Sequence, residues 1–214
     1  MSAPDRHPPA ELLLDHARGA LEPGRALVIE THLGVCPECR ATVRAAEAVC
    51  GALLDELEPV AMAPDALAHA LARLEAPEPP PPAAPRQRPN WIRVPPEVLI
   101  AAERRKRWRA PGVWVAPVTH DRKTGARSYL LGVGRNIAVP LHSHRGVELI
   151  CVVKGAYADR GDTHRPGDFA CNDEDVEHEP KVTRDGECVC LIAADSALVP
   201  RNLIARLLQP IVNI

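Results

Sequence analysis

Three metal-binding side chains lie within eight residues near the start of the chain, in the spacing His32-x3-Cys36-x2-Cys39. His32 precedes Cys36 by about one helical turn, and the Cys-x2-Cys spacing turns two sulfur atoms toward the same point. Pro37 stiffens the turn between the cysteines. Two cysteines in this spacing would alone suit a redox pair equally well. The placement of His32 favours a zinc site at the junction of two helices.

A tetrahedral zinc ion requires a fourth ligand, and His7, His16 and His69 are the histidines within reach. We favour His7, because a ligand on the N-terminal segment can swing toward the junction and hold the first helix there. The helices around the site are too short to close a deep core alone. We therefore expect zinc to stabilise the fold of this region.

Proline and glycine signals and apolar spacing predict four short helices in this region. Their predicted ranges are about 10–18, 23–33, 38–57 and 66–74. The third carries one wide apolar face, on which we expect Cys50 to pack in the core rather than bind metal. The residues of that face are Val43, Ala46, Cys50, Leu53, Leu54 and Leu57.

A proline-dense stretch at residues 77–89 is compatible with neither helix nor strand and predicts a semi-rigid spacer. We therefore divide the chain into a zinc-binding helical domain (1–76), a linker (77–89) and a second domain (90–214).

After the linker, short runs rich in β-formers alternate with Gly, Asp and Pro turns, which indicates an all-β sandwich or barrel. The runs lie at about 112–118, 128–133, 147–154, 168–171 and 187–193. The basic run at 103–109 is expected to be a solvated face, and 202–208 suits a short helix. The predicted fold class is α+β, with a small zinc-clamped helical bundle before an all-β barrel.

Charge is unevenly distributed along the chain. Residues 1–75 carry 12 acidic and six basic side chains, although the whole chain has a net charge of −2. An acidic domain is a poor DNA binder and suits a partner with a basic surface, such as a nucleic-acid-binding protein. We expect no direct contact with nucleic acid.

The N-terminus has no signal-peptide core, and no run approaches 18 apolar residues. Seven cysteines, an odd number, favour metal ligation or free thiols over a disulfide framework. We therefore expect a cytoplasmic, soluble protein that does not bind membranes.

A second group of ligand-type residues begins at His142, followed by His144 and Glu148. These positions have equal parity, so on an extended segment their side chains project from one face. With Gly155, the turn 166–168 and the later His178, they resemble the paired metal-binding motifs of the cupin fold. Three histidines and a glutamate suit zinc, manganese, iron or nickel, and the residues alone do not choose among them.

Taken together, the two motifs and their order resemble the ChrR-type zinc-binding anti-sigma factors, in which a zinc domain precedes a cupin. The resemblance covers essentially the whole chain, including Cys188 and Cys190 near its end. It implies that one set of residues binds zinc in the N-terminal domain and a second set binds a metal in the cupin. The sets are His7, His32, Cys36 and Cys39, and His142, His144, Glu148 and His178.

The same resemblance implies a partner, an extracytoplasmic-function group sigma factor held away from RNA polymerase. It further implies that the cupin senses an oxidant such as singlet oxygen or an organic peroxide. Cys188 and Cys190 share a strand face and are a second candidate for redox sensing, although cysteines so placed also suit a core. The oligomeric state stays open.

The alternative is a metal-dependent cupin enzyme, a dioxygenase or isomerase, with an N-terminal zinc-binding interaction module. Open metal positions would permit such chemistry. However, the chain departs from the second motif of the general cupin pattern, and an enzyme gives no reason for the acidic helices. We therefore predict a regulatory protein without catalytic residues.

Overall fold

The computed structural model describes residues 3–75, 91–196 and 199–200. The described helices are α1 (Ala10–Ala17), α2 (Pro23–Leu33), α3 (Pro37–Asp55), α4 (Ala66–Glu75) and α5 (Pro96–Arg104). The described strands are β1 (Arg107–Ala110), β2 (Val113–His120), β3 (Arg127–Val133), β4 (His142–Ser143), β5 (Glu148–Lys154), β6 (Tyr157–Asp159), β7 (Asp162–His164), β8 (Phe169–Asn172), β9 (Lys181–Val182), β10 (Cys188–Ala194) and β11 (Val199–Pro200).

Local signals set the junction between α2 and α3. The carboxylate of Glu22 accepts hydrogen bonds from the first backbone N–H groups of α2, which begins at Pro23. At the start of α3, Cys36 is the N-cap, and its Sγ accepts from the backbone N–H of Cys39 at 3.4 Å. His32 therefore lies in the last turn of α2, whereas Cys36 caps α3 and Cys39 lies in its first turn.

The β domain is built from antiparallel strands. A six-stranded sheet has the order β1-β2-β3-β10-β5-β8, beside a three-stranded sheet β7-β6-β9 and the pair β11-β4. All five predicted β-rich runs are strands, and the helices precede the sheet, so the predicted α+β class is confirmed. The basic run at 103–109 extends from the end of α5 into β1, the outermost strand, and all of it except Arg109 is exposed.

Strands β5 and β10 lie at the centre of the molecule and are buried on both faces. Their odd-numbered residues pack with Val28 and Ile29 of α2, and their even-numbered residues face the interior of the barrel. The helices and the sheet thus share one hydrophobic core. The rows are Leu149, Cys151, Val153, Val189, Leu191 and Ala193 toward the helices, and Ile150, Val152, Cys188, Cys190 and Ile192 toward the barrel.

The third helix differs from the prediction beyond its first two turns. Within α3 only Cys39 and Val43 are buried, whereas Cys50, expected in the core, is exposed. The reason is that the sheet covers α2, so the far end of α3 extends past the shared core.

The spacer at 77–89 and the helix at 202–208 lie outside the described residues. Within the described ranges, no helix combines the length and apolar character needed to cross a membrane.

Candidate metal centres

The first predicted group comes together at the α2–α3 junction. Candidate ligand atoms of His7, His32, Cys36 and Cys39 all lie within 4.8 Å of one another. Nδ1 of His7 is 3.4 Å from each cysteine Sγ. This matches the roughly 3.5 Å separation expected of nitrogen and sulfur ligands on one tetrahedral zinc ion. His16 and His69, the alternatives for the fourth position, are not members of this group.

The tautomer of His32 suits a metal ligand. Its Nδ1 lies 2.7 Å from the carbonyl oxygen of Gly167, which can only accept, so Nδ1 carries the proton. Nε2 is then a lone-pair acceptor, and it is buried without a hydrogen-bond partner among the described residues. An unpaired buried nitrogen facing two thiols fits a bound cation.

Burial lowers the pKa of His32, with the carbonyl of Gly167 opposing the shift, so the ring is neutral and able to coordinate near pH 7. Burial and the hydrogen bond with Cys36 raise the pKa of Cys39 to about 12. A divalent cation would reverse that shift by stabilising the thiolate.

The first group is held by the β domain as well as by the helices. The buried carboxylate of Asp168 accepts hydrogen bonds from the backbone N–H groups of Asp5 and Arg6, at 2.9 and 3.3 Å. Phe169 in turn donates its N–H to the carbonyl oxygen of Arg6. The segment carrying His7 is therefore bound along the edge strand β8. The sequence pattern indicates a turn at 166–168 but does not reveal this contact with the N-terminal segment.

The second predicted group lies at one end of the barrel. Ligand atoms of His142, His144, Glu148 and His178 lie within 4.8 Å of one another, and all four side chains are buried. Nε2 of His144 is 3.1 Å from Nε2 of His178 and 3.4 Å from a carboxylate oxygen of Glu148. Imidazole and carboxylate donors at these separations fit one divalent transition metal ion.

These ligands do not share an extended segment, contrary to the parity argument. After His144 the chain bends, with Gly146 at φ 86°, and Glu148 begins β5. His178 joins through a β-bridge with His142. Glu148 and His144 therefore meet because of a turn between two strands, which the period-2 rule does not describe.

Two further residues, not predicted from the sequence, orient the second group. Asp159 accepts from Nδ1 of His178 at 3.0 Å, and Asn172 donates to Glu148 at 3.3 Å. Arg160 contacts both, since it lies 3.4 Å from Asp159 and donates to Asn172 at 3.1 Å. Such partners fix the tautomer and direction of metal ligands. Asn172 lies opposite Glu148 in the β5–β8 register, but no sequence motif marks either residue.

Burial sets the protonation of the second group. It lowers the pKa of His142 and of His144 to about 4, so both rings are neutral near pH 7. Burial raises the pKa of Glu148 to about 7, opposed by its hydrogen bond with Asn172. The group thus offers neutral nitrogen ligands and a carboxyl that ionises close to physiological pH.

A narrow cavity of about 50 Å³ continues from the second group into the barrel, lined mainly by apolar side chains. Cys188 and Cys190 line it, with their sulfur atoms 3.8 Å apart. Their mutual hydrogen bond and their burial raise the pKa of Cys190 well above its ordinary value, so it is present as a thiol. The predicted common strand face of the two cysteines is observed.

Comparison with known proteins places both motifs in one family. The model of the ChrR cupin-like domain matches residues 98–197, and a zinc-finger model matches residues 10–40. The anti-sigma-E factor ChrR of Cereibacter sphaeroides is 36% identical over 206 residues, 95% of each chain. The chain belongs to the ChrR family of anti-sigma factors. Family membership confirms the prediction of a regulatory protein rather than a cupin enzyme.

The fold agrees with a solved member of this family. In the crystal structure of Rhodobacter sphaeroides SigE in complex with the anti-sigma ChrR, one chain matches with a TM-score of 0.73 and 33% identity. The match covers 89% of this chain and 99% of that one. The likeness therefore extends over both the helices and the β domain.

Proposed function

We propose that this chain sequesters an extracytoplasmic-function group sigma factor through its N-terminal helices and releases it when its cupin domain meets an oxidant. In this proposal residues 1–76 bind the partner, 77–89 link the domains and 90–214 sense the signal. Because such a partner acts on RNA polymerase, the proposal includes a cytoplasmic location.

The observation that carries the proposal is a set of exposed apolar side chains on α3, α4 and the segment after α3. On α4 they recur at the helical spacing of four and three residues, as in an amphipathic helix. Each is 51–82% exposed, which is unusual for so many large apolar residues in one region. They are Val49, Leu53, Leu54, Leu57, Leu67, Leu71 and Leu74.

The position of these residues leaves them available while the domains stay packed together. The cupin sheet contacts α2, whose Val28 and Ile29 are fully buried, whereas the far half of α3 and α4 carry the exposed set. The surrounding helices are acidic, which complements a basic nucleic-acid-binding partner. Support for a sigma factor comes from the SigE complex of the ChrR relative.

Binding to a purified sigma factor of the extracytoplasmic-function group tests the proposal. We expect Leu53→Asp and Leu71→Asp each to weaken binding by at least about 2 kcal/mol, roughly thirtyfold, because a charge would enter an apolar interface. The matched control is Trp108→Ser, which alters a 65% exposed apolar residue on β1 and should bind normally. Normal binding by both aspartate variants would refute the proposed surface.

For the metals, we propose zinc at the first group and zinc or another divalent transition metal at the second. His7, His32, Cys36 and Cys39 would hold the first ion, and His142, His144, Glu148 and His178 the second. The thiolate-rich first set favours zinc, whereas the second set suits several metals. Metal analysis of the purified chain, repeated for Cys39→Ser and His144→Ala, tests each assignment separately.

We place the sensor at the second group, because its imidazole rings line a cavity that could admit a small oxidant and a bound metal ion would lie beside them. The thiols of Cys188 and Cys190 are the second candidate. A peroxide ROOH could join their sulfur atoms in a disulfide and leave as ROH and water. Burial of both thiols slows this route, since the thiolate is the reactive form.

Transcription from a sigma-dependent promoter, with and without singlet oxygen or an organic peroxide, separates these candidates. We expect His144→Ala to keep repression and blunt induction, and Cys190→Ser to affect peroxide induction only if the thiols react. Full induction in His144→Ala would remove the metal group from sensing and leave Cys188 and Cys190.

A further inference from the structure

We propose that residues 167–172, the connecting segment, couple the two metal groups, so that loss of the second ion loosens the first. This inference rests on the proposed occupancy of both groups by metal ions. It concerns retention of the metal, and it can be tested without any partner protein.

One end of the connecting segment holds two of the four residues of the first group. The carbonyl of Gly167 fixes the ring of His32, and Asp168 binds the backbone of the segment that carries His7. Gly167 also approaches the helices closely: a Cβ there would lie 2.8 Å from Pro4 and 2.9 Å from Val35. Its φ of 96° is one that L-residues rarely adopt. A shift of this end therefore moves ligands of the first group.

The other end of the connecting segment holds a ligand of the second group. Asn172 donates to the carboxylate of Glu148 and pairs with it across strands β8 and β5. The bond helps keep the carboxylate directed toward the three histidines. If the ion were lost, the buried carboxylate of Glu148 would face the three histidine rings with no cation between them. The hydrogen bond from Asn172 to this carboxylate would then be the first contact of the connecting segment to change.

Between its ends the segment is short and firmly paired. Strand β8 spans Phe169 to Asn172 and pairs with β5 over its whole length, from Cys151 to Glu148. Gly167 and Asp168 add hydrogen bonds with Val152 of the same strand. Four residues of continuous strand transmit a change in register or twist better than a loop would. The two metal groups are therefore joined by one rigid element rather than by the proline-rich linker.

Cobalt(II) allows the first group to be observed alone. Cobalt bound to thiolates has a charge-transfer absorption, and of the two metal groups only the first contains cysteines. The full chain is loaded with Co²⁺ at both groups and mixed with excess EDTA, and the decay of this absorption gives the rate of metal loss from the first group. Circular dichroism confirms that each variant is folded.

A double-mutant cycle then tests the coupling. We expect Glu148→Gln, which weakens the second group, to speed cobalt loss from the first about fivefold or more, the lower end of typical coupling between sites. In the Asp168→Ala background the same Glu148→Gln change should alter the rate by less than about twofold, because the connection is already cut. If Asp168→Ala does not fold, Asn172→Ala is the second background, because it cuts the connecting segment at its other end. His144→Ala is the second way to empty the second group.

The control is Asp162→Asn, which removes a half-exposed ion pair with Arg6 but leaves the backbone contacts of Asp168 in place. In that background Glu148→Gln should keep its full effect. Equal rates for Glu148→Gln and the unaltered chain, or an undiminished effect in Asp168→Ala, would overturn the coupling alone. Absence of any thiolate absorption would overturn the first metal site together with this inference.

Discussion

At the scale of single residues, both candidate metal groups depend on side chains and carbonyls that never touch the ion. Gly167 sets the tautomer of His32, Asp159 sets that of His178, and Pro140 accepts from Nδ1 of His142 at 2.8 Å. Each contact leaves an unprotonated nitrogen directed into its group. Such outer contacts contribute substantially to metal affinity, because they remove the freedom of the ligand to turn away.

The contact of Asp159 with His178 yields the first prediction. Asp159→Asn should lower zinc affinity at the second group by about 10- to 100-fold, since the amide no longer favours a proton on Nδ1. The measurement is competition with a chelator of known affinity. Asp162→Asn, on the same hairpin, should retain the affinity of the unaltered chain. An unchanged affinity in Asp159→Asn would show that His178 needs no orienting partner.

The second prediction concerns pH. Because burial raises the pKa of Glu148 to about 7, a proton competes with the metal at this carboxyl below neutrality. Zinc affinity at the second group should therefore fall about tenfold per pH unit from pH 7 toward 5, and level off above 7. His142 and His144, with pKa values of about 4, add little to this slope. Chelator competition at several pH values measures it.

A comparison variant isolates the contribution of that carboxyl. Glu148→Gln cannot titrate, so its affinity, although lower, should lose the slope between pH 5 and 7. A slope that persists in Glu148→Gln would assign the proton to another group.

Sequence spacing was sufficient for contacts that form within one turn or one strand. It predicted the meeting of His32, Cys36 and Cys39, and the common face of Cys188 and Cys190. It could not reveal that Gly167 approaches His32, because these residues are separated by 135 positions and no pattern links them. The prediction that His144 and Glu148 project from one face of an extended segment was wrong for a related reason, because the turn between them interrupts the alternation of side chains.

At the scale of elements, the packing of α2 against β5 and β10 is a feature that the sequence pattern did not predict. An unbroken run of buried residues, such as Cys188–Ala194, indicates a strand covered on both sides. That signal was present, but a proline-rich linker suggested separate domains. Because the sheet packs on α2, the far end of α3 lies outside the shared core, and Cys50 on that end is exposed.

Truncation of α2 at this interface gives the third prediction. Ile29→Ala should lower the free energy of unfolding by about 2–5 kcal/mol, because Ile29 is fully buried where α2 meets the sheet. Denaturant unfolding of the metal-loaded chain measures the change. Leu53→Ala, at a 59% exposed position of α3, is the matched control and should change stability by less than about 0.5 kcal/mol. A small effect of Ile29→Ala would show that α2 is not held by the sheet.

At the scale of the whole molecule, the far half of α3, the segment after it and α4 carry the exposed apolar set, whereas the sheet covers α2. This arrangement separates the proposed partner surface from the packing of the helices on the sheet. It also means that removal of the cupin exposes Val28 and Ile29 to water and deletes the contacts of Gly167 and Asp168 with the first metal group.

The fourth prediction is that residues 1–76 alone still bind the sigma factor, within about tenfold of the affinity of the full chain. The fragment keeps the exposed leucines of α3 and α4, but it should melt at a lower temperature than the full chain. Titration calorimetry and thermal denaturation measure the two properties. The same fragment with Leu53→Asp is the control for specific binding. A folded, zinc-loaded fragment that failed to bind would contradict the division proposed for the domains.

The burial of β5 and β10 on both faces has a consequence for how such proteins diversify. Along both strands, alternate residues pack against α2 and against the barrel interior, so the helical and β domains cannot be exchanged independently. Substitutions along β5 and β10 that alter the barrel interior also alter the surface that packs against α2, unless the odd-numbered residues of both strands are kept. We therefore expect recombination between relatives to preserve the packing of α2 when it exchanges only the row of side chains that faces the barrel. Exchange of whole domains would disturb that packing.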